Sequence, residues 1–150
     1  MDDLSRILVV ATDIKYSQEA VHRGVSLARK YGAELIVLHV EHDPFGIDGW
    51  NLPFLSVEEE YKNLLKEAKE NLHRLIRSEM AKGLPVRELI LAGEPTAVVL
   101  KVIREERIDL LVLLAQEEGR LEHFLFGRTN DILLRRMPCS VLLVKKSTAG

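Results

Sequence analysis

Cysteine, proline and aromatic residues are all scarce in this chain, which has one Cys, five Pro, one Trp, three Tyr and four Phe among its 150 residues. The lone cysteine, Cys139, excludes an internal disulfide. A folded chain of this length buries about 70% of the surface its unfolded form exposes, so neither a bridge nor a structural metal is needed to hold a core. No apolar run reaches the ~18 residues of a spanning helix, and no membrane role is expected. The start of the sequence shows no basic stretch followed by an apolar leader, so the expected compartment is the cytoplasm. Charge of one sign is not in excess either. With 21 Lys and Arg against 23 Asp and Glu, the formal charge is -2, which provides no broad electrostatic footprint for nucleic acid or an anionic membrane.

What is present, 47% hydrophobic and 29% charged residues, fits one soluble domain. Five short apolar runs alternate with segments of helical period, the signature of βαβ units around a parallel sheet. The runs are 7–11, 35–40, 89–92 with a start as early as Val86, 110–114 and 141–144. Two of them, Ile7-Leu8-Val9-Val10 and Leu110-Leu111-Val112-Leu113-Leu114, are apolar without alternation, as central strands covered on both faces should be. Between the runs, Ser17 is a good N-cap for a helix with the stripe Ala20, Val21, Gly24, Val25, Leu27 and Ala28, and Gly32 ends it. Ser56 and Glu59 form a capping box for a long helix with Tyr61, Leu64, Leu65, Ala68, Leu72, Leu75, Ile76 and Met80 on its inward face. Pro95 opens a third helix with Val98, Val99, Val102 and Ile103 inward and residues 104–107 running out to solvent, and a fourth lies between Gly127 and Arg136. The stretch 42–55 breaks this economy. Its glycines and prolines exclude a long regular element, while Phe45, Trp50 and Phe54 suit a cover over the domain, a subunit contact or a lid.

In an open α/β sheet, chemistry gathers in the loops at the carboxyl ends of the strands, where strand order reverses. Asp13 ends the first strand, where a carboxylate can hold a ribose hydroxyl, a metal or a neighbouring helix N-terminus. His39-Val40-Glu41-His42 carries ligand-type side chains, but alternation puts only His39 and Glu41 on one side, short of the three or four groups a metal site needs. No metal is expected. His22, His73 and His123 read as structural or solvent-exposed. There is no G-x-S-x-G elbow, and Cys139 follows Pro138 at the start of a buried strand, where a thiol behaves as a small hydrophobe. A phosphate-accepting receiver domain would need a carboxylate where this chain has Leu91-Ala92-Gly93.

Several segments together resemble the universal stress protein family: Ile7 to Asp13, Tyr31-Gly32-Ala33-Glu34-Leu35 with Leu38-His39-Val40, Gly93-Glu94-Pro95, Asp109-Leu110-Leu111-Val112, Gly127, and Pro138 to Val144. The resemblance implies a doubly wound α/β domain, a five-stranded parallel sheet of order 3-2-1-4-5 with helices on both faces. ATP-binding members of that family carry G-x2-G-x9-G-[ST] after the fourth strand, where glycines let backbone N–H groups approach phosphate. Counting back from Gly127, the other glycine positions hold Glu117 and Leu114, and the hydroxyl position holds Arg128. The family's Gly-Ser after the aspartate is Ile14-Lys15 here. Leu114 and Glu117 put side chains where phosphate needs bare backbone, and Glu117 beside Glu118 would repel a triphosphate.

The resemblance therefore implies a non-enzymatic homodimer that does not bind ATP in the usual way and acts in stress response through a protein partner, with no cofactor. Dimerisation would run through the last strand, Val141, Leu142, Leu143 and Val144, an apolar edge in the family order. The alternative is an adenine-nucleotide site, for ATP or a smaller relative, built from Asp13, Val40 and Gly127 with Lys15 and Arg128 near phosphate. Slow nucleotide hydrolysis would have only Asp13 and Glu117 as candidate bases.

Overall fold

The computed structural model describes residues 4–11, 17–41, 55–115 and 128–145. Among the described residues, nine elements follow in the expected alternation: β1 Arg6–Val10, α1 Ser17–Tyr31, β2 Glu34–Glu41, α2 Leu55–Ala81, β3 Val86–Ala92, α3 Pro95–Glu106, β4 Leu110–Leu114, α4 Arg128–Arg136 and β5 Ser140–Val144. The sheet is parallel throughout, in the order β3-β2-β1-β4-β5. β1 sits between β2 and β4, with Ile7 opposite Leu35 on one side and Leu110 on the other.

The uninterrupted apolar runs of β1 and β4 are explained by two cores. Ile7, Val9, Leu35, Val37, Val112 and Leu114 face α1 and α2 through Val21, Val25, Ala28, Leu72 and Ile76. Their neighbours in the pleat, Leu8, Val10, Ile36, Leu38, Leu111 and Leu113, face α3 and α4 through Val99, Val102, Ile103 and Leu133. Side chains alternate across a strand, so a strand buried on both faces has no polar positions.

Two expectations are corrected. Met80 does not face the core: it is 51% exposed, and Glu79 is buried in its place. The inward stripe of α2 runs Leu72, Ile76, Glu79, spaced i, i+4, i+7, and the carboxylate at its end is tolerated because the Arg29 guanidinium of α1 bonds it and Lys82 Nζ lies 3.5 Å away. At the end of α3, Arg104, Glu105 and Arg107 are exposed as expected, and Glu106 alone departs from it. Glu106 is half-buried, holding the Arg87 guanidinium at 2.7 Å through its carboxylate and Arg6 Nη1 at 2.8 Å through its carbonyl.

The amino ends of the strands are closed by polar contacts. Asp109, just before β4, accepts the main-chain N–H groups of both Ser5 and Arg6 at 2.9 Å, and Glu34 lies 3.8 Å from both Arg6 and Arg87. These contacts hold the amino ends of β1, β2, β3 and β4 together.

Candidate functional site

The crevice lies where β1 and β4 end side by side, because β2 and β3 fill one direction from β1 while β4 and β5 fill the other. At the end of β1, Ala11 N–H donates to the Leu38 carbonyl at 2.8 Å. The Ala11 carbonyl lies 3.1 Å from Nδ1 of His39, whose ring is buried, a contact that suits the tautomer with Nδ1–H donating. At the end of β4, Ala115 N–H donates to the Val144 carbonyl, and the Leu114 carbonyl accepts from Nδ2 of the buried Asn130 on α4 at 3.1 Å. The two central strands therefore end alike: each main chain is held by a buried side chain at the point where a crevice loop begins.

Of the five residues expected to meet a ligand, the structure describes two. Val40 is on β2, but its side chain is 2% exposed and belongs to the core under α3 and α4, so only its main chain is left for a ligand. Arg128 is the first residue of α4, a position whose N–H has no partner within the helix. Asp13, Lys15 and Gly127 lie outside the described residues, as do Glu117, Glu118 and the stretch 42–54. His39 and Asn130 are the residues that sequence reasoning did not assign. Both bond main-chain carbonyls of other elements, a partnership that the spacing of residues along the chain does not reveal.

The other candidate chemistries take structural roles. His73 Nδ1 lies 2.5 Å from Glu88 and ties α2 to β3, while His22 is exposed on α1. Burial pushes the Cys139 thiol above its ordinary pKa, the Asp109 charge adds to the rise, and a hydrogen bond with the Leu111 main chain opposes it. A thiol kept protonated is a poor nucleophile at neutral pH. Among the described residues, no three His, Cys, Asp or Glu side chains converge on a metal position, and no helix is long and apolar enough to cross a membrane.

The sheet order and the helices on both faces define a doubly wound α/β protein whose strand order reverses beside β1. The chain belongs to the universal stress protein family, whose model it matches over residues 4–145. It is 25% identical to the universal stress protein MJ0577 of Methanocaldococcus jannaschii, an alignment covering 99% of this chain and 100% of that protein. The universal stress protein UspA from Lactobacillus plantarum has the same fold, with a TM-score of 0.71 at 21% identity over 96% of this chain and 99% of the other. So does a universal stress protein solved in complex with cAMP, with a TM-score of 0.63 at 22% identity over 97% of this chain and 100% of the other.

Proposed function

We propose that this protein is a non-enzymatic member of its family, active in stress response as a homodimer that engages a protein partner, without gripping a nucleoside triphosphate in the family's usual way. One observation carries the reading. At the position corresponding to the family's first phosphate-loop glycine stands Leu114, 3% exposed, its side chain in the core beneath α1 and its carbonyl bonded to Asn130. Backbone that must approach phosphate closely needs glycine's lack of a side chain. Here the side chain is an element of the core, so the backbone cannot shift without opening a cavity. The glutamate at 117, the second glycine position, adds bulk and negative charge of the wrong sign for a phosphate.

A second reading is favoured by the relative in complex with cAMP, a nucleotide with no triphosphate to cradle. An adenine nucleotide with a short anionic tail would use Asp13, the Val40 main chain and Gly127, its phosphate lying at the start of α4 with Lys15 and Arg128 beside it. Calorimetric titration with ATP, ADP, AMP and cAMP separates the two. The proposed function expects no binding of any of them at sub-millimolar concentration and no nucleotide turnover. Heat with AMP or cAMP but not ATP establishes the second reading, and sub-millimolar ATP binding overturns the first.

A further inference from the structure

A groove of about 520 Å³ runs between α1 and α2, well away from the crevice. Its described lining is His22, Val25, Ser26, Arg29 and Lys30 of α1 with Glu79 of α2. The spacing i, i+4, i+7, i+8 places His22, Ser26, Arg29 and Lys30 on one stripe of the helix, beside the buried stripe that Val25 shares. From His22 to Lys30 the stripe is about 12 Å long at 1.5 Å per residue. Its chemistry is one-sided. Arg29, Lys30 and nearby Lys82 supply three cations, and the one carboxylate among them, Glu79, is buried and already engaged by Arg29 and Lys82. That leaves a local surplus of positive charge on a chain whose formal charge is -2.

Glu79 does more than neutralise. Bonding one guanidinium nitrogen of Arg29 holds the planar group over the groove, and a guanidinium has five N–H donors to offer. A cation held in place loses less rotamer entropy on meeting a ligand than a free surface arginine does. The groove is an open trough, whereas a small molecule binds where most of its surface is enclosed. A row of donors along a rigid helix fits the side chains of a peptide.

We propose that this groove is the docking site for an acidic peptide segment of a protein partner, its carboxylates meeting Arg29 and Lys30. The proposal rests on the reading that the protein works through a partner. It takes its specificity from charge complementarity, which steers encounter and is weakened by salt.

The test is fluorescence anisotropy of the full chain with a labelled octaglutamate peptide, and with octalysine as control. Octaglutamate is expected to bind, and raising salt from about 50 to about 500 mM should weaken it by about tenfold or more. Lys30→Glu, a change at an exposed position, should weaken binding by about tenfold without altering thermal unfolding. Arg29→Gln with Glu79→Gln exchanges the half-exposed ion pair for an amide pair, leaves no unpaired buried carboxylate and should weaken binding similarly. Equal binding of the two peptides, an unaffected Lys30→Glu variant, or complete displacement of octaglutamate by millimolar inorganic phosphate overturns the proposal. The nucleotide titration reads the crevice and this experiment reads the groove, so either can fail while the other stands.

Discussion

Gly24 faces the sheet from the inward stripe of α1, and a Cβ there would lie 2.5 Å from Val9 Cγ2 and 3.1 Å from Leu35 Cδ1. Neither neighbour can yield cheaply, because Val9 is fully buried and β-branched, with few rotamers to choose from, and Leu35 is packed beside it in the same core. Gly24→Ala gains about 1 kcal/mol of helix propensity but overpacks the contact, which typically costs about 1–3 kcal/mol. At so short a distance the clash wins. The expected result is a net loss of up to about 2 kcal/mol, read in urea as a lower midpoint with an unchanged slope. A rise in stability would mean that α1 can lift from β1, and that the close approach is not a fixed feature of this fold.

At the start of α3, the helix is capped by a residue seldom used for the purpose. Glu94 has extended backbone, and its two carboxylate oxygens accept the N–H groups of Thr96 at 3.1 Å and Ala97 at 2.8 Å, two of the donors a helix start leaves unpaired. Pro95 in the first turn has no N–H to lose, and the charge suits the positive end of the helix. Glu94→Ala is expected to cost about 1 kcal/mol in thermal or denaturant unfolding. Glu94→Asp shortens the reach and should recover only part of that. Pro95 alone marked this boundary in the sequence, and the same distinction between pattern and contact runs through the molecule. The central pair β1 and β4 and the inward faces of α1 and α3 were legible because burial on a sheet imposes a period, whereas the strand order came from the family resemblance and not from any local pattern. The phase at the end of α2 was not, since Glu79 and Met80 are both one turn from Ile76 and the choice is made by Arg29, which comes from another helix. His39 on Ala11 and Asn130 on Leu114 were hidden for the same reason: a side chain's carbonyl partner across the sheet leaves no trace in local spacing. Asp109 appears in sequence as a residue before a strand, yet its partners Ser5 and Arg6 are more than a hundred positions away.

Among the described residues, β3 and β5 form the two edges of the sheet, and they are not equivalent. β3 ends in exposed Ile90 and Leu91 but carries Arg87 and Glu88 near its start, and charge on an edge strand discourages pairing with another chain. β5 has no charge between Val141 and Val144; Leu143 is 46% exposed, and Met137 just before the strand is 59% exposed. An apolar edge of this kind invites a second copy, and a two-fold axis beside β5 would close the contact without leading to open-ended growth. In such an interface each residue appears twice. Fully burying a leucine is worth about 1.5–3 kcal/mol, and Leu143 is already about half buried, so losing the remainder from both copies removes about 1.5–3 kcal/mol, roughly ten- to a hundredfold in Kd. Leu143→Lys also places a like charge in each half of the contact. The wild-type chain is therefore expected to sediment as a dimer at micromolar concentration, and Leu143→Lys as a monomer with unchanged helical circular dichroism, since Leu143 is not among the core residues. A monomeric wild type, or a variant that stays dimeric, would remove β5 from the proposed assembly and shift attention to the β3 edge.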